Sequence, residues 1–412
     1  MTAHLAPAFT ALRYLLRWTL IAGAVAALAG SASALFLFAL EAATAYRLQH
    51  GWIIWLLPLA GFAVGWVYLR WGGTVETGNN LLIDEIHHPQ KVVPLRMAPL
   101  VLAGTVLAHL FGASVGREGT AVQMGGALAD QLTNLLRLKP EDRRILLMAG
   151  ISAGFASVFG TPLAGAIFGL EVLVIGRLRH DAILPCTLAA LLADQVGLAW
   201  GVHHTHYGAG AIPAITLWTV AATMIAGIAF GLAALLFARA THRLAGFMKQ
   251  HVAYAPLRPL IGGVVVAVAA GALGTQRYVG LGIPVIVEAL QQPLPLWDAL
   301  GKFAFTVTSL GAGFKGGEVT PLFFIGATLG NALAPLLHLP FAMLAGVGFV
   351  AVFAGAANTP LASTVMALEL FGPEIGPYAA LGCVVAYLFS GQAGIYRAQR
   401  SEAKPASAMP PL

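Results

Sequence analysis

A tetrapeptide that occurs twice is the feature of this sequence that most restricts its fold. Thr161–Ala164 reads Thr-Pro-Leu-Ala, and the same four residues return as Thr359–Ala362. The pair Leu170–Glu171 returns as Leu368–Glu369 at the same separation of 198 residues. Two matches in the same order at one separation indicate a duplicated unit.

A second repeated block lies upstream of the first. Glu118–Thr120 recurs as Glu318–Thr320, and Gly126–Ala127 recurs as Gly326–Ala327, both at a separation of 200 residues. Because this block precedes the Thr-Pro-Leu-Ala block in both places, the chain is predicted to consist of two related halves. Their bounds are about 11–205 and 206–396.

The composition places this duplicated unit in a membrane. Of the 412 residues, 58% are apolar and 10% are charged, whereas about a quarter of the residues of a soluble domain are charged. The apolar run from about Leu20 to Ala45 predicts a first, tilted span rather than a cleaved signal peptide. More than ten helices are expected in all. Internal repeats are typical of transporters that bind substrate between the halves, which are parallel or inverted according to the number of crossings.

Positive residues predict the orientation. Four lie within 137–144, two within 177–179 and three within 397–404. The positive-inside rule then puts both termini in the cytoplasm, with the chain in the cell (inner) membrane. We expect one transmembrane domain over 1–396 and a short cytoplasmic tail over 397–412, with no appended regulatory domain. No basic stripe interleaved with aromatic residues suggests a nucleic-acid partner.

Four helix starts are predicted within apolar surroundings. Thr161, Thr320 and Thr359 each precede a proline, which is the pattern of an N-cap followed by Pro at the first helical position. Thr120 opens another apolar run after several glycines. Free backbone N–H groups and the helix dipole favour anions at such termini. We therefore predict one central anion site that all four helix starts share.

Four short motifs resemble those of the CLC superfamily of chloride channels and proton-coupled anion transporters. Gly116–Thr120 resembles its Gly-Arg-Glu-Gly-Pro signature, Gly78–Asn80 its Gly-Ser-Gly-Ile-Pro loop and Gly317–Pro321 its Gly-x-Phe-x-Pro motif. Tyr396 lies where the family has an ion-coordinating tyrosine. The resemblance implies an all-α polytopic membrane protein with an inverted internal repeat, in which broken helices meet at a central anion site. It also implies a homodimer with one pore in each subunit.

Three departures from the family pattern resemble its bacterial fluoride-proton antiporter branch. Thr120 replaces the proline, Asn79 replaces the pore serine and Val319 replaces the phenylalanine. A fourth departure concerns protons. Val172 stands where chloride-proton antiporters have an inner proton-transfer glutamate, so the usual inner proton route is in doubt.

Two glutamates are the predicted centre of the chemistry. Glu118 lies at a helix start among apolar residues, where a carboxylate is costly unless it has a function. Its anionic form can occupy the anion site and its protonated form can leave it, which would couple anion and proton movement. Glu318, at the equivalent position, is expected to supply an inner proton step or to tune the site. The predicted anion-binding residues are Asn79, Asn80, Gly119, Thr120, Val319, Thr320 and Tyr396.

The predicted function is proton-coupled fluoride export, with fluoride or another small halide, protons, lipid and a second subunit as partners. A chloride/proton antiporter and a passive anion channel remain alternatives on the same scaffold. An intramembrane hydrolase is least favoured, because the internal repeat is typical of transporters and no His-Glu-x-x-His sequence is present. No enzyme activity, cofactor or metal site is expected.

Several other polar residues are assigned roles outside the anion site. Glu171 and Glu369 are expected to make structural pairs near a membrane face. Lys315 either adds positive potential along the pathway or only extends towards water. The loop over 203–206 contains three histidines and is expected to be solvated.

Overall fold

The computed structural model describes residues 6–205, 207–392 and 394–401, so His206 and the tail from 402 lie outside the described residues. The described residues form sixteen α-helices, eight in each half. The first eight are α1 Ala6–Gln49, α2 Leu57–Trp71, α3 Asn79–His87, α4 Met97–Phe111, α5 Glu118–Leu135, α6 Pro140–Phe159, α7 Pro162–Glu171 and α8 Ile183–Ala199. The second eight are α9 Leu217–His251, α10 Leu257–Leu273, α11 Ile283–Gln291, α12 Trp297–Ala312, α13 Val319–Leu337, α14 Phe341–Ala357, α15 Pro360–Phe371 and α16 Gly376–Phe389.

The two sets of helices match in order and closely in length. Each half begins with its longest helix, of 44 residues in α1 and 35 in α9. The third helix of each set, α3 or α11, has nine residues, and α7 and α15 have ten and twelve. The internal repeat predicted from the short motifs therefore extends over the whole helical framework.

Five described helical segments, among them the long helices α1 and α9, are long and apolar enough to cross a bilayer by themselves. Helices such as α7 and α15 are far shorter than the roughly 20 residues that a crossing needs. Short helices at membrane depth are tolerated where protein surrounds them. The first span is longer than the predicted Leu20–Ala45, because α1 continues at both ends as a mostly exposed helix.

Close packing in both halves depends on glycines where consecutive helices meet. A methyl group at Gly326 of α13 would lie 2.0 Å from the carbonyl oxygen of Gly348 of α14, and one at Gly125 of α5 would lie 2.4 Å from that of Gly150 of α6. Small residues allow helix backbones to approach in this way inside a membrane. These contacts pack α5 closely against α6, and α13 closely against α14.

One of the four positive residues within 137–144, Arg143, also has a structural role. Arg143 is 5% exposed and donates to both carboxylate oxygens of Asp130, at 2.8 and 2.7 Å, and to Glu85 at 3.0 Å. Its charge is therefore neutralised inside the protein. The orientation predicted from 137–144 then depends on the other three positive residues of that range.

Candidate functional site

The two glutamate motifs meet through their backbones. The N–H of Gly116 donates to the carbonyl of Gly317 at 2.6 Å, and the N–H of Gly317 donates to the carbonyl of Gly116 at 2.7 Å, as an antiparallel bridge. A methyl group at Gly317 would lie 2.7 Å from the amide nitrogen of Gly119. Only glycine allows this close approach, which brings the first turns of α5 and α13 together. The antiparallel bridge shows that these equivalent segments run in opposite directions.

The carboxylate of Glu118 occupies the junction between these helix starts. Its Oε2 accepts from the N–H groups of Arg117 and Thr320, each at 3.1 Å, and its Oε1 accepts from the Thr320 hydroxyl. The Nε of Arg117 lies 3.6 Å from Oε1. Glu118 is only 1% exposed. Its carboxylate is therefore an anion, attached to the protein, that is enclosed by donor groups from both halves.

Glu318 and Asn79 lie beside Gly119. A methyl group at Gly119 would lie 3.1 Å from Asn79 Nδ2 and 3.8 Å from Glu318 Oε2. Asn79 Oδ1 and Glu318 Oε2 are buried atoms without a hydrogen-bond partner in the described residues. Glu318 also stands at the N-cap position of α13 without capping it. Its carboxylate is therefore available for a role other than capping.

Tyr396 joins this group from the C-terminal segment. It is 6% exposed, and its ring contacts the edge of Phe168 with centroids 6.5 Å apart. Tyr396, Asn79, Asn80 and Glu318 all line one cavity of about 930 Å³. The structure thus brings the Gly78–Asn80 motif, the Gly317–Pro321 motif and Tyr396 together around one cavity.

Asn80 and Thr120 are committed to other partners. The side-chain oxygen of Asn80 accepts from the N–H of Ala398 at 2.9 Å, and this bond connects the Gly78–Asn80 motif to the C-terminal segment. The hydroxyl of Thr120 is 2.7 Å from that of Thr105, and both are fully buried. Their predicted donor roles are therefore less direct than those of Asn79 and Thr320. Val319 is 1% exposed and contributes apolar surface at the start of α13.

The prediction of four helix starts at one anion site is wrong for two of them. The N–H groups of Leu163 and Ala164, at the start of α7, donate to Glu369 at 2.9 and 2.8 Å. Those of Leu361 and Ala362, at the start of α15, donate to Glu171 at 3.0 and 2.8 Å. Each short helix thus carries the carboxylate that caps the other.

The start of α13 also differs from the sequence pattern. Thr320 is not the N-cap, because the helix begins at Val319 and Pro321 is its third residue. The Thr320 side chain turns to Glu118 instead. Tertiary contact with the other half therefore decides the role of this threonine, whereas the local Thr-Pro pattern indicates a cap.

The reciprocal caps lead to a prediction about stability. Glu171→Gln keeps the size of the side chain but removes the negative charge at the start of α15, so we expect a loss of about 1–2 kcal/mol. A fall in the apparent unfolding temperature of the purified protein would report it. Glu374→Gln, an exposed carboxylate at the opposite end of α15, is the control. An unchanged unfolding temperature for Glu171→Gln would contradict a capping role.

A second copy of the Gly78–Asn80 motif was not recognised from the sequence. Gly280–Pro284 reads Gly-Leu-Gly-Ile-Pro and leads into α11, as Gly78 leads into the equally short α3. The carbonyl of Gly280 accepts from the ammonium of the fully buried Lys302 at 2.6 Å. The signal was available, since this pentapeptide lies about one repeat separation after Gly78.

An inverted repeat of membrane helices, with buried helix starts and a carboxylate between its halves, defines an ion transporter or channel. A family model described as "Voltage gated chloride channel" matches residues 60–391. The chain therefore belongs to the voltage-gated chloride channel family, a membrane protein family of transporters and channels.

Individual relatives agree with this assignment. A chloride/fluoride channel protein of Pseudomonas syringae pv. tomato is 67% identical over 395 residues, which cover 94% of this chain and 87% of the relative. The crystal structure of a CLC-type fluoride/proton antiporter has a TM-score of 0.91 and 35% identity, and the match covers 94% of this chain and 98% of that one. A slow cyanobacterial Cl⁻/H⁺ antiporter, 21% identical with a TM-score of 0.81 over 92% of this chain and 96% of that one, shares the fold.

Proposed function

We propose that this chain exports fluoride in exchange for protons across the bacterial inner membrane, with Glu118 as the gate. The observation that carries the proposal is the closed set of donors around Glu118, drawn from Arg117 and Thr320. A small anion needs such donors once it has lost its water. When Glu118 takes up a proton its charge is gone, and the same N–H and O–H groups can hold fluoride instead.

Fluoride is favoured over chloride by the donors and by the relatives. Asn79 presents an amide beside Gly119, and Thr320 adds a hydroxyl. Short, strong donors of this kind suit a small and strongly hydrated anion, and donor number and field strength can select an ion as effectively as pore size. Two relatives described above are named for fluoride. Glu318, with an unpartnered buried oxygen, is proposed to pass protons between Glu118 and the cavity.

The remaining residues are assigned supporting roles in the same proposal. Tyr396 offers a phenolic O–H to the ion from the cavity side. Gly119, Val319 and Thr120 shape the path of the ion. Asn80 holds the Gly78–Asn80 motif against the C-terminal segment. The working unit is proposed to be a homodimer with both termini in the cytoplasm, one transmembrane domain over 1–396 and a tail over 397–412.

Simultaneous recording of fluoride and pH in proteoliposomes tests the proposed function. An outward fluoride gradient should drive protons inward, and fluoride should exchange well while chloride exchanges poorly. Fluoride movement without proton movement would instead indicate a passive channel. Equal or faster chloride movement would indicate a chloride transporter on this scaffold.

A further inference from the structure

The cavity lined by Glu318 and Asn79 carries two further carboxylates, Glu76 and Asp84, and four cations. Three of them, Lys249, Arg258 and Arg397, belong to the lining and are exposed or half-buried. Because Arg397 follows Tyr396, the cavity opens on the side of the membrane where the described C-terminal segment lies. Under the proposed orientation this is the cytoplasmic side, from which fluoride must be collected.

The fourth cation of the lining, Lys315, is held in place by an aromatic ring. It lies in the Gly313–Gly317 loop, between α12 and the glutamate motif of α13. Its ammonium is 4.0 Å from the ring centroid of Tyr68, which is 6% exposed. A cation over the face of a ring keeps its N–H groups available on the other side.

A glycine of α4 makes room for the aliphatic part of the same side chain. A methyl group at Gly104 would lie 3.1 Å from Cβ and 3.2 Å from Cγ of Lys315. The glycine therefore leaves the room that the stem occupies, and the ring of Tyr68 sets the position of the ammonium. Lys315 has no salt bridge within 4.0 Å among the described residues. A lysine that merely extends towards water needs neither of these contacts.

We propose that Lys315 is a fixed anion-collecting charge, which draws fluoride from the mouth of the cavity towards Asn79 and Glu318. The inference rests on the proposed function and deepens it by assigning the entrance of the same site. A hydrated fluoride loses water as the cavity narrows, and a cation in a low-dielectric wall offsets part of that loss. The four cations of the lining outnumber its three carboxylates, and a cleft of positive potential raises the local concentration and the on-rate of an anion.

Removing the charge should weaken fluoride capture far more than turnover. For Lys315→Met we expect the KM for fluoride to rise about tenfold, the lower end of such steering effects, with kcat at saturating fluoride little changed. Lys315→Arg should retain most of the wild-type KM, because the positive charge remains. Lys139→Gln removes an exposed cation outside the cavity lining and should change nothing.

Ionic strength separates an electrostatic role from a structural one. Raising the salt from about 0.01 M to about 1 M shortens the screening length from roughly 30 Å to roughly 3 Å. The KM of the wild type should then rise towards that of Lys315→Met, whereas the KM of Lys315→Met, which keeps the other three cations, should respond less. Potassium gluconate supplies the salt, so that no small halide competes with fluoride.

Tyr68→Leu provides an independent variant that keeps the lysine. Without the ring the ammonium is no longer held in position, so we expect a smaller rise in KM with the salt dependence partly retained. If Lys315→Met folds and shows the wild-type KM and salt dependence, the inference is overturned. If Lys315→Met does not fold, an unchanged KM in Tyr68→Leu overturns it. Wild-type vesicles that move no fluoride at all would contradict the proposed function itself.

Discussion

In Glu118→Gln, proton movement driven by a fluoride gradient is expected to fall to the level of protein-free vesicles. The glutamine has nearly the shape of the protonated glutamic acid, but it cannot take up or release a proton. Thr320 and Arg117 would still offer the donors that now bind the carboxylate. Fluoride movement can therefore continue, at a rate that no longer depends on pH.

Fluoride and pH electrodes in the same vesicle suspension measure both fluxes of this variant. Glu288→Gln is a suitable control, since Glu288 lies outside the ion site and pairs with Arg277 at 2.8 Å. This substitution should leave the coupling intact. Uphill proton movement in Glu118→Gln would show that another residue carries the proton.

Glu318→Gln is expected to reduce proton movement strongly while fluoride movement persists. The unpartnered Oε2 of Glu318 lies near Gly119, the residue that follows the gate. Val172, which stands at the usual inner proton position, is 2% exposed and apolar. Glu318, which lines the cavity, is therefore the proposed relay for a proton that reaches Glu118 from that side. The measured quantity is the number of protons moved per fluoride.

Glu76→Gln is the matched control for Glu318→Gln. Glu76 is a carboxylate of the same cavity, but it is exposed and lies in the turn before α3. Its loss should leave the ratio of protons to fluoride unchanged. If Glu318→Gln also keeps the wild-type ratio, Glu318 has a structural role at the start of α13 and the relay is wrong.

Equivalent residues of the two halves have acquired unequal surroundings. Glu118 is fully enclosed and its carboxylate accepts three hydrogen bonds, whereas Glu318 Oε2 has no partner and the residue lines an open cavity. An inverted repeat places two similar helix starts back to back. Only one of two adjacent carboxylates can use the shared donors, which leaves the other free to exchange protons with the cavity.

The caps of α7 and α15 show where local patterns mislead. Thr161-Pro162 and Thr359-Pro360 correctly predict that helices begin there. The same patterns do not tell which anion meets the exposed N–H groups. The carboxylates that do so, Glu369 and Glu171, lie about 200 residues away in sequence. Their repeat-matched positions were visible, but not the antiparallel contact that makes each one cap the other.

The sequence by itself determined the membrane class, the duplicated framework and the two glutamate motifs. Those features depend on apolar composition, on a repeated spacing and on short motifs, all of which can be identified from the order of the residues alone. Only the tertiary structure decided which helix starts share the ion site, that Thr320 binds Glu118, and that Lys315 is fixed by Tyr68 and Gly104. These relations join segments that are distant along the chain, because the second half is inverted and packs its equivalent segments against those of the first.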